Sequence, residues 1–590
     1  MKDEATFIGT VRRVVGATVH VVLSSELPST SPIVHGRVYR IGQIGSFVRI
    51  PLGFLNIYGI VSTVGAVAVR SDDDQAILGD AAERTLEVKL IGEAYQNSAF
   101  QRGLSSHPTI DDEVHVVTEA DLKKIYAPSG TAPVPIGSHS ASESLPATLD
   151  LDKLVTRHAA ILGSTGSGKS NTVAAVLKAV TDGSLPRARV IVIDPHGEYG
   201  AAFKGLSRVY SIGDKTNPFV LPYWCLPFDE LAWFLVERKS ATEALQDGYL
   251  RDKIFEMRKA AAAAVKVGAK QTALTADDIT ADSPLPFDIR ELWYHFDRAE
   301  RVTYKTDRTT ECLVAEGDAQ KLVSAQFKPA SPGNAEPFKP TVQYFMGAYT
   351  HKILQKLKDR RYDFLLNPGE HDGVKKDLHD LLSGWLDHDQ PITVFDLGGV
   401  PPDVMDLVVG QMTRVLFESM YWGRDIDGIG KQRPVLMVFE EAHRYLPSKD
   451  GNFIQGYARR SVQRILKEGR KYGTGAVIVS QRPSELDETI LSQCGTFIAL
   501  RLSNAQDQGR VMSAMPDELS GLVDLLPALR TGEAVISGEA TQIPSRVRVK
   551  LIEPRPSSGD PEVSKMWGQK VKAATEYVAA VTNWRRQRSN

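Results

Sequence analysis

The sequence contains little cysteine, no long apolar run and no excess of charge of one sign. Its three cysteines, Cys225, Cys312 and Cys494, are too few and too widely spaced for a disulfide framework or a CxxC-type zinc site. No apolar run approaches the roughly 18 residues that a membrane-spanning helix requires. The acidic start, MKDEATFIGT, also differs from a secretory signal, which begins basic and then becomes apolar. We therefore expect a soluble cytoplasmic protein that does not cross a membrane.

The charge balance restricts how nucleic acid could be bound. Lys and Arg together number 70 and Asp and Glu 72, so the formal net charge is −2. This balance excludes wrapping of nucleic acid by a uniformly basic surface, and any contact must be local. With 590 residues, 42% of them hydrophobic, the chain can bury a large core and is expected to form several domains.

The pattern of apolar residues changes along the chain and predicts the domain organisation. Residues 1–127 contain short β-rich runs and predict a small β-barrel, and residues 128–148, rich in Pro, Ser, Gly and Ala, predict a linker. Short apolar β runs then alternate with helical segments, which predicts an α/β core over 149–202 and 389–560. Residues 203–388 are predicted to be a helical insertion, and 561–590 a C-terminal helix that ends in a frayed tail or a docking segment. The predicted core strands are Ala159–Leu162, Val190–Ile193, Ile392–Phe395, Val435–Phe439, Ala476–Val479 and Phe497–Leu500.

A phosphate-binding loop is the strongest single signal. Residues 163–170, GSTGSGKS, match G-x-x-x-x-G-K-[ST] without deviation, directly after a predicted strand and before an amphipathic helix. In this pattern Lys169 would reach the β- and γ-phosphates of ATP, and the Ser170 hydroxyl would bind Mg²⁺. The alternative is a glycine-rich turn with an incidental lysine. The predicted nucleotide-binding residues are Gly163, Ser164, Thr165, Gly166, Ser167, Gly168, Lys169, Ser170 and Asn171.

An acidic pair follows the strand Val435–Phe439, at the edge where open α/β sheets bind their ligands. Successive side chains of a strand alternate, so the two carboxylates are expected to have different roles. We assign Glu440 to Mg²⁺, through water, and Glu441 to polarising the attacking water. The alternative is that the pair merely caps a helix over Ala442–Tyr445.

Further polar candidates are weaker. Gln481 follows the strand Ala476–Val479 and could contact the γ-phosphate or orient water, unless it is a solvent-exposed loop residue. The loop Asp194–Tyr199 also follows a strand, but a single histidine, His196, is more often structural than a metal ligand. A basic stripe (Arg460, Arg464, Lys467, Lys471, with Arg470 beside it) is either a solvated helix face or the source of an arginine finger that enters a neighbouring subunit's site.

Taken together, the motifs resemble the HerA-like translocases of the HerA–FtsK group of ring ATPases. The resemblance rests on RHAAILGSTGSGKS (157–170), DPHGEY (194–199), EEAH (440–443), EGRKYG (468–473) and SQRPS (480–484). It implies an α/β, RecA-like P-loop ATPase core with a helical insertion, preceded by a small barrel whose sequence includes HGRVYRIG (35–42). It also implies Glu441 as catalytic glutamate, Gln481 as sensor and Arg470 as finger, with Arg459, Arg460 and Arg464 as nearby alternatives.

The resemblance also implies how such a chain would work. We expect a homohexamer that binds ATP and Mg²⁺ at its subunit interfaces and threads double-stranded DNA through its channel. A separately encoded nuclease (NurA-like) or a defence effector (nuclease or sirtuin-like, as in bacterial anti-phage systems) is expected to dock on the N-terminal barrel. The alternative is a nucleotide-stabilised ring scaffold that assembles and regulates an effector enzyme, with translocation secondary.

Overall fold

The computed structural model of the chain describes most residues from 6 to 587. The described ranges are 6–27, 33–34, 37–39, 41–68, 82–95, 98–128, 130, 132–182, 184–237, 244–269, 271–333, 335–340, 345–449, 455–515, 520–557, 563–568 and 577–587. His35, Gly36 and Arg40 of the barrel motif, and the chain end after 587, lie outside them. The chain divides into two compact units. The first comprises 1–207, 420–449 and 462–558, and the second 208–419, 450–461 and 559–590.

The described strands are, in chain order, β1 (Phe7–Val15), β2 (Thr18–Leu23), β3 (Ile33–Val34), β4 (Arg37–Val38), β5 (Phe47–Leu52), β6 (Leu55–Ala68), β7 (Ala82–Tyr95), β8 (Gln101–Arg102), β9 (Glu113–Val116), β10 (Pro133–His139), β11 (Ser142–Asp150), β12 (Ala159–Leu162), β13 (Val190–Asp194), β14 (Ser207–Ser211), β15 (Leu313–Ala315), β16 (Gln326–Phe327), β17 (Ile392–Asp396), β18 (Val435–Phe439), β19 (Thr474–Ser480), β20 (Thr496–Ala499), β21 (Glu533–Gly538) and β22 (Ser545–Val549).

The described helices are α1 (Glu119–Ile125), α2 (Leu151–Thr156), α3 (Lys169–Val180), α4 (Tyr199–Ala202), α5 (Phe228–Val236), α6 (Ala244–Ala261), α7 (Ile289–Arg301), α8 (Gly347–Lys358), α9 (Asp363–Leu366), α10 (Leu378–Leu386), α11 (Met405–Trp422), α12 (Tyr457–Glu468), α13 (Glu488–Ser492), α14 (Ala505–Ala514), α15 (Ser520–Val523), α16 (Val563–Trp567) and α17 (Tyr577–Arg586). Among the described residues, no helix has the length and apolar character required to cross a bilayer.

The N-terminal part of the first unit is a closed six-stranded barrel. Its strands are ordered β2-β1-β9-β5-β6-β7, and pairing between β2 and β7 closes the sheet. In β2 every second side chain is buried, as expected when one face of a strand lines a core. Val11, Val19, Ile50, Ile57 and Val88 are completely buried in that core. The N-terminal barrel predicted from the sequence is thereby confirmed.

The rest of the first unit is built on a mixed sheet ordered β11-β10-β22-β21-β20-β12-β19-β18-β13. The five strands from β20 to β13 run parallel, and the four from β11 to β21 continue the sheet in antiparallel pairing. All residues of β12, β13, β18 and β19 are buried, as is typical of parallel strands covered on both faces. The predicted α/β class is confirmed, and the antiparallel extension is a feature that the sequence did not reveal.

The segment predicted as a linker contains regular structure. Residues 133–139 and 142–150 form the hairpin β10–β11, and β10 also pairs with β22, about 400 residues further along the chain. The buried side chains Val134, Ile136, Ala147 and Leu149 alternate with more exposed neighbours, and burying this face stabilises the hairpin. The interpretation of 128–148 as an irregular connector is therefore wrong, although the domain boundaries themselves stay predictions.

The second unit is mainly helical. In α7, for example, Ile289, Leu292, Trp293 and Phe296 recur on one helix face and are buried, while Asp288 caps the helix by accepting from the backbone N–H groups of the first turn. Within the predicted helical insertion, α6 ends in an alanine-rich stretch and continues into one 3₁₀ turn, Ala262–Ala264. Two short strands, β15 and β16, interrupt the helical pattern.

Candidate nucleotide site

The parallel strands of the first unit bring the sequence motifs to one edge. Strands β13, β18, β19 and β12 are neighbours in parallel register, so their carboxyl ends lie side by side. The phosphate-binding loop follows β12, Asp194 ends β13, the acidic pair follows β18, and Gln481 follows β19. Ligands of open α/β sheets bind at this edge, and the sequence placed each of these residues there.

The loop 163–168 has the backbone that its glycines predict. Gly166 and Gly168 have φ values of +73° and +96°, in the left-handed region that favours glycine. The first backbone hydrogen bond of α3 runs from the Thr172 N–H to the Gly168 carbonyl oxygen (2.9 Å). The preceding N–H groups at this helix end are not used by the helix, so the loop and the helix N-terminus together form an anion site.

Lys169 forms a buried ion-pair cluster with both carboxylates of the acidic pair. Its Nζ donates to Oε1 of Glu440 (2.9 Å) and contacts Oε1 of Glu441. The exposed fractions of Lys169, Glu440 and Glu441 are 7%, 1% and 6%. Burial acts to lower the pKa of Lys169, but the two carboxylates outweigh it and raise the pKa. The ammonium is therefore charged at neutral pH.

Glu440 has partners at both of its oxygens. Besides Lys169, the hydroxyl of Tyr199 donates to its Oε2 (2.9 Å), and the hydroxyl of Tyr445 donates to its backbone oxygen (2.7 Å). Burial raises the pKa of Glu440, although Lys169 and Tyr199 oppose that shift. Burial also raises the pKa of Tyr199 well above its ordinary value, so this hydroxyl keeps its proton and acts as a donor.

Glu441 is held in a different way from Glu440. Its φ is +48°, a conformation that is uncommon for a residue other than glycine and that recurs at functional sites. Its Oε2 is buried, lies 3.3 Å from Nδ1 of His443 and accepts no hydrogen bond from the described residues. The 3₁₀ turn Ala442–Arg444 follows, but Glu441 makes no side-chain capping bond to it. The alternative that Glu441 merely caps the next helix is therefore wrong.

The loop after β13 is organised by Asp194. This completely buried carboxylate accepts hydrogen bonds from the N–H groups of His196 (3.2 Å), Gly197 (2.9 Å) and Tyr199 (3.0 Å). The bonded loop directs Tyr199 to Glu440 and Glu198 to the phosphate-binding helix, where Ser170 Oγ donates to Glu198 Oε2 (3.0 Å). His196 is exposed, and its Nε2 lies 3.3 Å from a guanidinium nitrogen of Arg444.

Gln481 and Asn171 both contact the site. Thr165 of the phosphate loop donates to Oε1 of Gln481 (2.7 Å), so the predicted sensor meets the loop. Asn171 donates to the Lys550 carbonyl and accepts from the Ile552 N–H, both at 3.0 Å, which attaches α3 to the chain beyond β22.

Two residues at the loop were not identified from the sequence. A guanidinium nitrogen of Arg501 and the hydroxyl of Thr531 donate to the Gly166 carbonyl oxygen at 3.3 and 3.2 Å. Both flank strands that lie more than 300 residues after the loop, and no local motif marks them. Arg501 follows β20, so its position at the carboxyl end of a parallel strand is the signal that could have indicated it.

Arg470 lies away from this edge of the sheet. It is exposed on a 3₁₀ turn, Gly469–Tyr472, and lines a cavity of about 630 Å³ with Val190 and Thr474, the first residues of β13 and β19. The basic stripe is shorter than predicted, because α12 ends at Glu468 and Lys471 belongs to the same 3₁₀ turn. Arg460 donates to the Gln455 carbonyl oxygen (2.9 Å).

The site contains the donor types that Mg²⁺ prefers. Ser170 places a hydroxyl beside the carboxylate of Glu198, and Glu440 adds a second carboxylate next to Lys169. Hard oxygen donors of this kind, one or two from the protein and others from phosphate and water, are typical of magnesium sites in nucleotide-hydrolysing enzymes. These residues therefore fit the metal, and the assignment of Ser170 and Glu440 as its ligands stays a prediction.

Comparison with known proteins agrees with this geometry. Residues 134–416, which include the phosphate loop, match the family model of the central domain of helicase HerA. Over this central part the chain is similar to the HerA helicases. The DNA double-strand break repair helicase HerA of Sulfurisphaera tokodaii is 28% identical over 479 residues, covering 81% of this chain and 80% of that protein. The HerA of Pyrococcus furiosus with the same description is 27% identical over 515 residues, covering 83% and 82%.

Among solved structures, VirB4 of Thermoanaerobacter pseudethanolicus is similar with a TM-score of 0.45 and 15% identity, covering 72% of this chain and 98% of that one. These similarities to HerA helicases confirm the resemblance seen in the sequence motifs. With its complete phosphate-binding loop and its similarity to HerA helicases, the chain is an ATP-binding ATPase. The roles of the individual site residues stay predictions.

Proposed function

We propose that this HerA-like ATPase uses ATP hydrolysis to move double-stranded DNA. The observation that carries the proposal is the buried cluster of Lys169, Glu440 and Glu441, which joins the phosphate loop to an acidic pair. Lys169 leaves the pair when phosphate enters, because the nucleotide then supplies the negative charge that the lysine neutralises. Glu441, whose Oε2 has no hydrogen-bond donor among the described residues, is then free to polarise water.

In the proposed reaction the water oxygen attacks the γ-phosphorus and the bond to the β–γ bridging oxygen breaks. Glu441 accepts the proton that the water loses, and Lys169 and the loop N–H groups bind the phosphate oxygens. Gln481 orients the water or the γ-phosphate from its position beside Thr165. Mg²⁺, when bound, neutralises phosphate charge, and Ser170 holds it together with a carboxylate of the site.

Arg470 is proposed to act on the nucleotide of a neighbouring copy. It lies at the amino ends of β13 and β19, whereas Lys169 lies at the opposite edge. A five-residue strand spans about 17 Å, which exceeds the reach of an arginine side chain. Arg470 therefore cannot reach the phosphate site of its own subunit, and we propose that it acts at the phosphate of a neighbouring copy in a homohexameric ring with ATP at its interfaces.

The DNA substrate is proposed from the relatives, and the partner from the resemblance of the sequence motifs to HerA-like translocases. The HerA proteins of Sulfurisphaera tokodaii and Pyrococcus furiosus are described as DNA double-strand break repair helicases. We propose that this ring also acts on double-stranded DNA, and that a nuclease or defence effector docks on its N-terminal barrel. A ring of Glu441→Gln subunits distinguishes this function from the alternative of a ring scaffold that only assembles the effector. If the effector keeps full activity on that ring, the ring is a scaffold. If the ring stays assembled but the effector loses activity, the result supports an ATP-driven translocase.

The proposed function is tested by ATP turnover with and without double-stranded DNA. We expect DNA to bind the assembled protein and to increase turnover, and Glu441→Gln to reduce turnover by orders of magnitude while nucleotide still binds. Glu143→Gln is the matched control, because Glu143 is a solvent-exposed glutamate on the same unit. The proposal fails if DNA neither binds nor changes turnover and Glu441→Gln hydrolyses ATP normally.

A further inference from the structure

A histidine with little exposed surface joins the ends of two neighbouring strands at the nucleotide site. His443 belongs to the 3₁₀ turn after β18, and its side chain is 9% exposed. Its Nδ1 lies 3.3 Å from Oε2 of Glu441 and 3.2 Å from Oγ of Ser480, the last residue of β19. Gln481, the next residue in the chain, accepts from Thr165 of the phosphate loop. His443 therefore contacts both the proposed catalytic carboxylate and the strand end that leads to the proposed sensor.

Ser480 is fixed in place and can hold the imidazole ring. It is completely buried, its Oγ accepts from the Arg482 N–H (3.0 Å), and its carbonyl oxygen accepts from the Gly163 N–H (3.2 Å). The first bond attaches Ser480 to the turn after β19, and the second attaches it to the start of the phosphate loop. A side chain that contacts Ser480 Oγ therefore keeps its position relative to the loop that binds ATP.

The surroundings of Nδ1 indicate which ring nitrogen carries the proton. Burial lowers the pKa of His443, although Glu441 opposes that shift, so the ring is neutral at pH 7 and has one N–H group. Oε2 of Glu441 is buried and accepts no hydrogen bond from the described residues. A nitrogen lone pair facing this oxygen would be repelled, whereas an N–H group can be donated to either of the two neighbouring oxygens. The hydrogen-bond network therefore assigns the proton to Nδ1.

We propose that His443 is a positioning residue that holds Glu441 in the orientation for activating water. The inference rests on the proposed role of Glu441 in ATP hydrolysis. While Lys169 contacts Oε1 of Glu441, the Nδ1–H group of His443 remains with Ser480. When phosphate draws Lys169 away, the Nδ1–H group donates to Oε2 of Glu441, a contact that is long without nucleotide and shortens in the complex. Oε1 then faces the attacking water.

The test replaces His443 by residues that keep or lose a donor at the position of Nδ1. Asn places an amide N–H close to that position, Gln places it near the position of Nε2, and Ala removes it. In ATP turnover without DNA, we expect kcat to fall roughly 100-fold in His443→Ala and His443→Gln, because small misplacements of a reacting group cost about this much. His443→Asn should be at least about tenfold faster than either. Binding of a fluorescent ATP analogue in EDTA should change less than about threefold, because His443 does not touch the nucleotide.

A second comparison separates positioning of Glu441 from general damage to the fold. In the Glu441→Gln background no catalytic carboxylate is left to orient, so adding His443→Ala should not slow turnover further. His379→Ala, at an exposed histidine of α10, is the control for the loss of an imidazole and should match the wild type.

Three outcomes overturn the assignment: a kcat of His443→Ala within about threefold of the wild type, a kcat of His443→Asn as low as that of His443→Ala, or a further loss in the double variant. Wild-type turnover in Glu441→Gln would refute the proposed function. An inactive Glu441→Gln beside a fully active His443→Ala would refute this inference alone.

Discussion

Replacing Lys169 by Met is expected to destabilise the first unit before any nucleotide binds, because Lys169 neutralises two buried carboxylates. Without the ammonium, one of the two buried carboxylates must take up a proton. Protonating a carboxyl group with an ordinary pKa of 4.5 at pH 7 requires about 3 kcal/mol of free energy, since each pKa unit is worth about 1.4 kcal/mol. The value agrees with the roughly 3–5 kcal/mol lost when one partner of a buried ion pair is removed.

The same reasoning predicts a pH dependence and a rescue. At pH 5 protonation costs less than about 1 kcal/mol, so most of the defect disappears. In Lys169→Met/Glu440→Gln, one buried charge has been removed together with the lysine, and most of the lost stability should return at pH 7. Lys178→Met, on the same helix but with Nζ donating only to an exposed carbonyl oxygen, is the matched control and should change stability by less than about 0.5 kcal/mol.

Native-state hydrogen exchange is the appropriate assay, because it reports the opening free energy of individual strands in a chain with two units. Peptides that cover β12 and β18 are compared at pH 7 and pH 5 after correction for intrinsic exchange rates. The reasoning is refuted if Lys169→Met loses equal stability at both pH values, or if the double variant is less stable than the single one.

Three further expectations follow from other described residues. Arg258 is completely buried and donates to the carbonyl oxygens of Trp224, Leu226 and Ala281. Because Arg258→Met leaves these acceptors unpaired, it should lower the free energy of unfolding of the second unit by about 3 kcal/mol or more. Urea denaturation measures this loss. Burial lowers the pKa of His139 and His158 to about 4. In the unfolded chain a histidine has a pKa near 6.5, so the unfolded chain takes up protons before the folded protein does, and stability should fall as the pH drops from 6.5 towards 4. Equal stability of the wild type at pH 7 and pH 4.5 would contradict this. An unchanged dependence of stability on pH in His158→Asn would also contradict it. Gly168→Ala should weaken ATP binding in equilibrium titrations, because φ is +96° and a Cβ would lie 3.0 Å from the Gly532 nitrogen; unchanged affinity would show that the loop tolerates the side chain.

The parallel part of the sheet was predictable because its signals are local. Strand β12 has the same bounds as the apolar run Ala159–Leu162. Along α3, one face of the helix is buried, as the spacing of its apolar residues indicates; these are Val173, Val176, Leu177 and Val180. The phosphate loop lies between these two elements. Since parallel neighbours end at one edge, the sequence alone placed the acidic pair and Gln481 beside the loop.

The features that the sequence did not reveal depend on partners that are distant in the chain. Prolines and serines concealed the hairpin β10–β11, whose stability depends on pairing with β22. The contacts of Arg501 and Thr531 with Gly166 likewise join segments more than 300 residues apart. The loop Asp194–Tyr199 is a weak candidate from sequence alone, because a single carboxylate such as Glu198 has no pattern of its own. Only the fold shows that Glu198 meets Ser170.

The central claim is that ATP is hydrolysed at a site that a neighbouring copy completes with Arg470. Mixing two inactive variants, Arg470→Ala and Glu441→Gln, in equal amounts and allowing them to reassemble tests it directly by steady-state ATP turnover. If Arg470 acts across the interface, about one quarter of the junctions in a random ring combine an intact Glu441 with an intact Arg470, and the mixture should regain a corresponding share of wild-type turnover. A mixture that stays as inactive as its two components would contradict the claim.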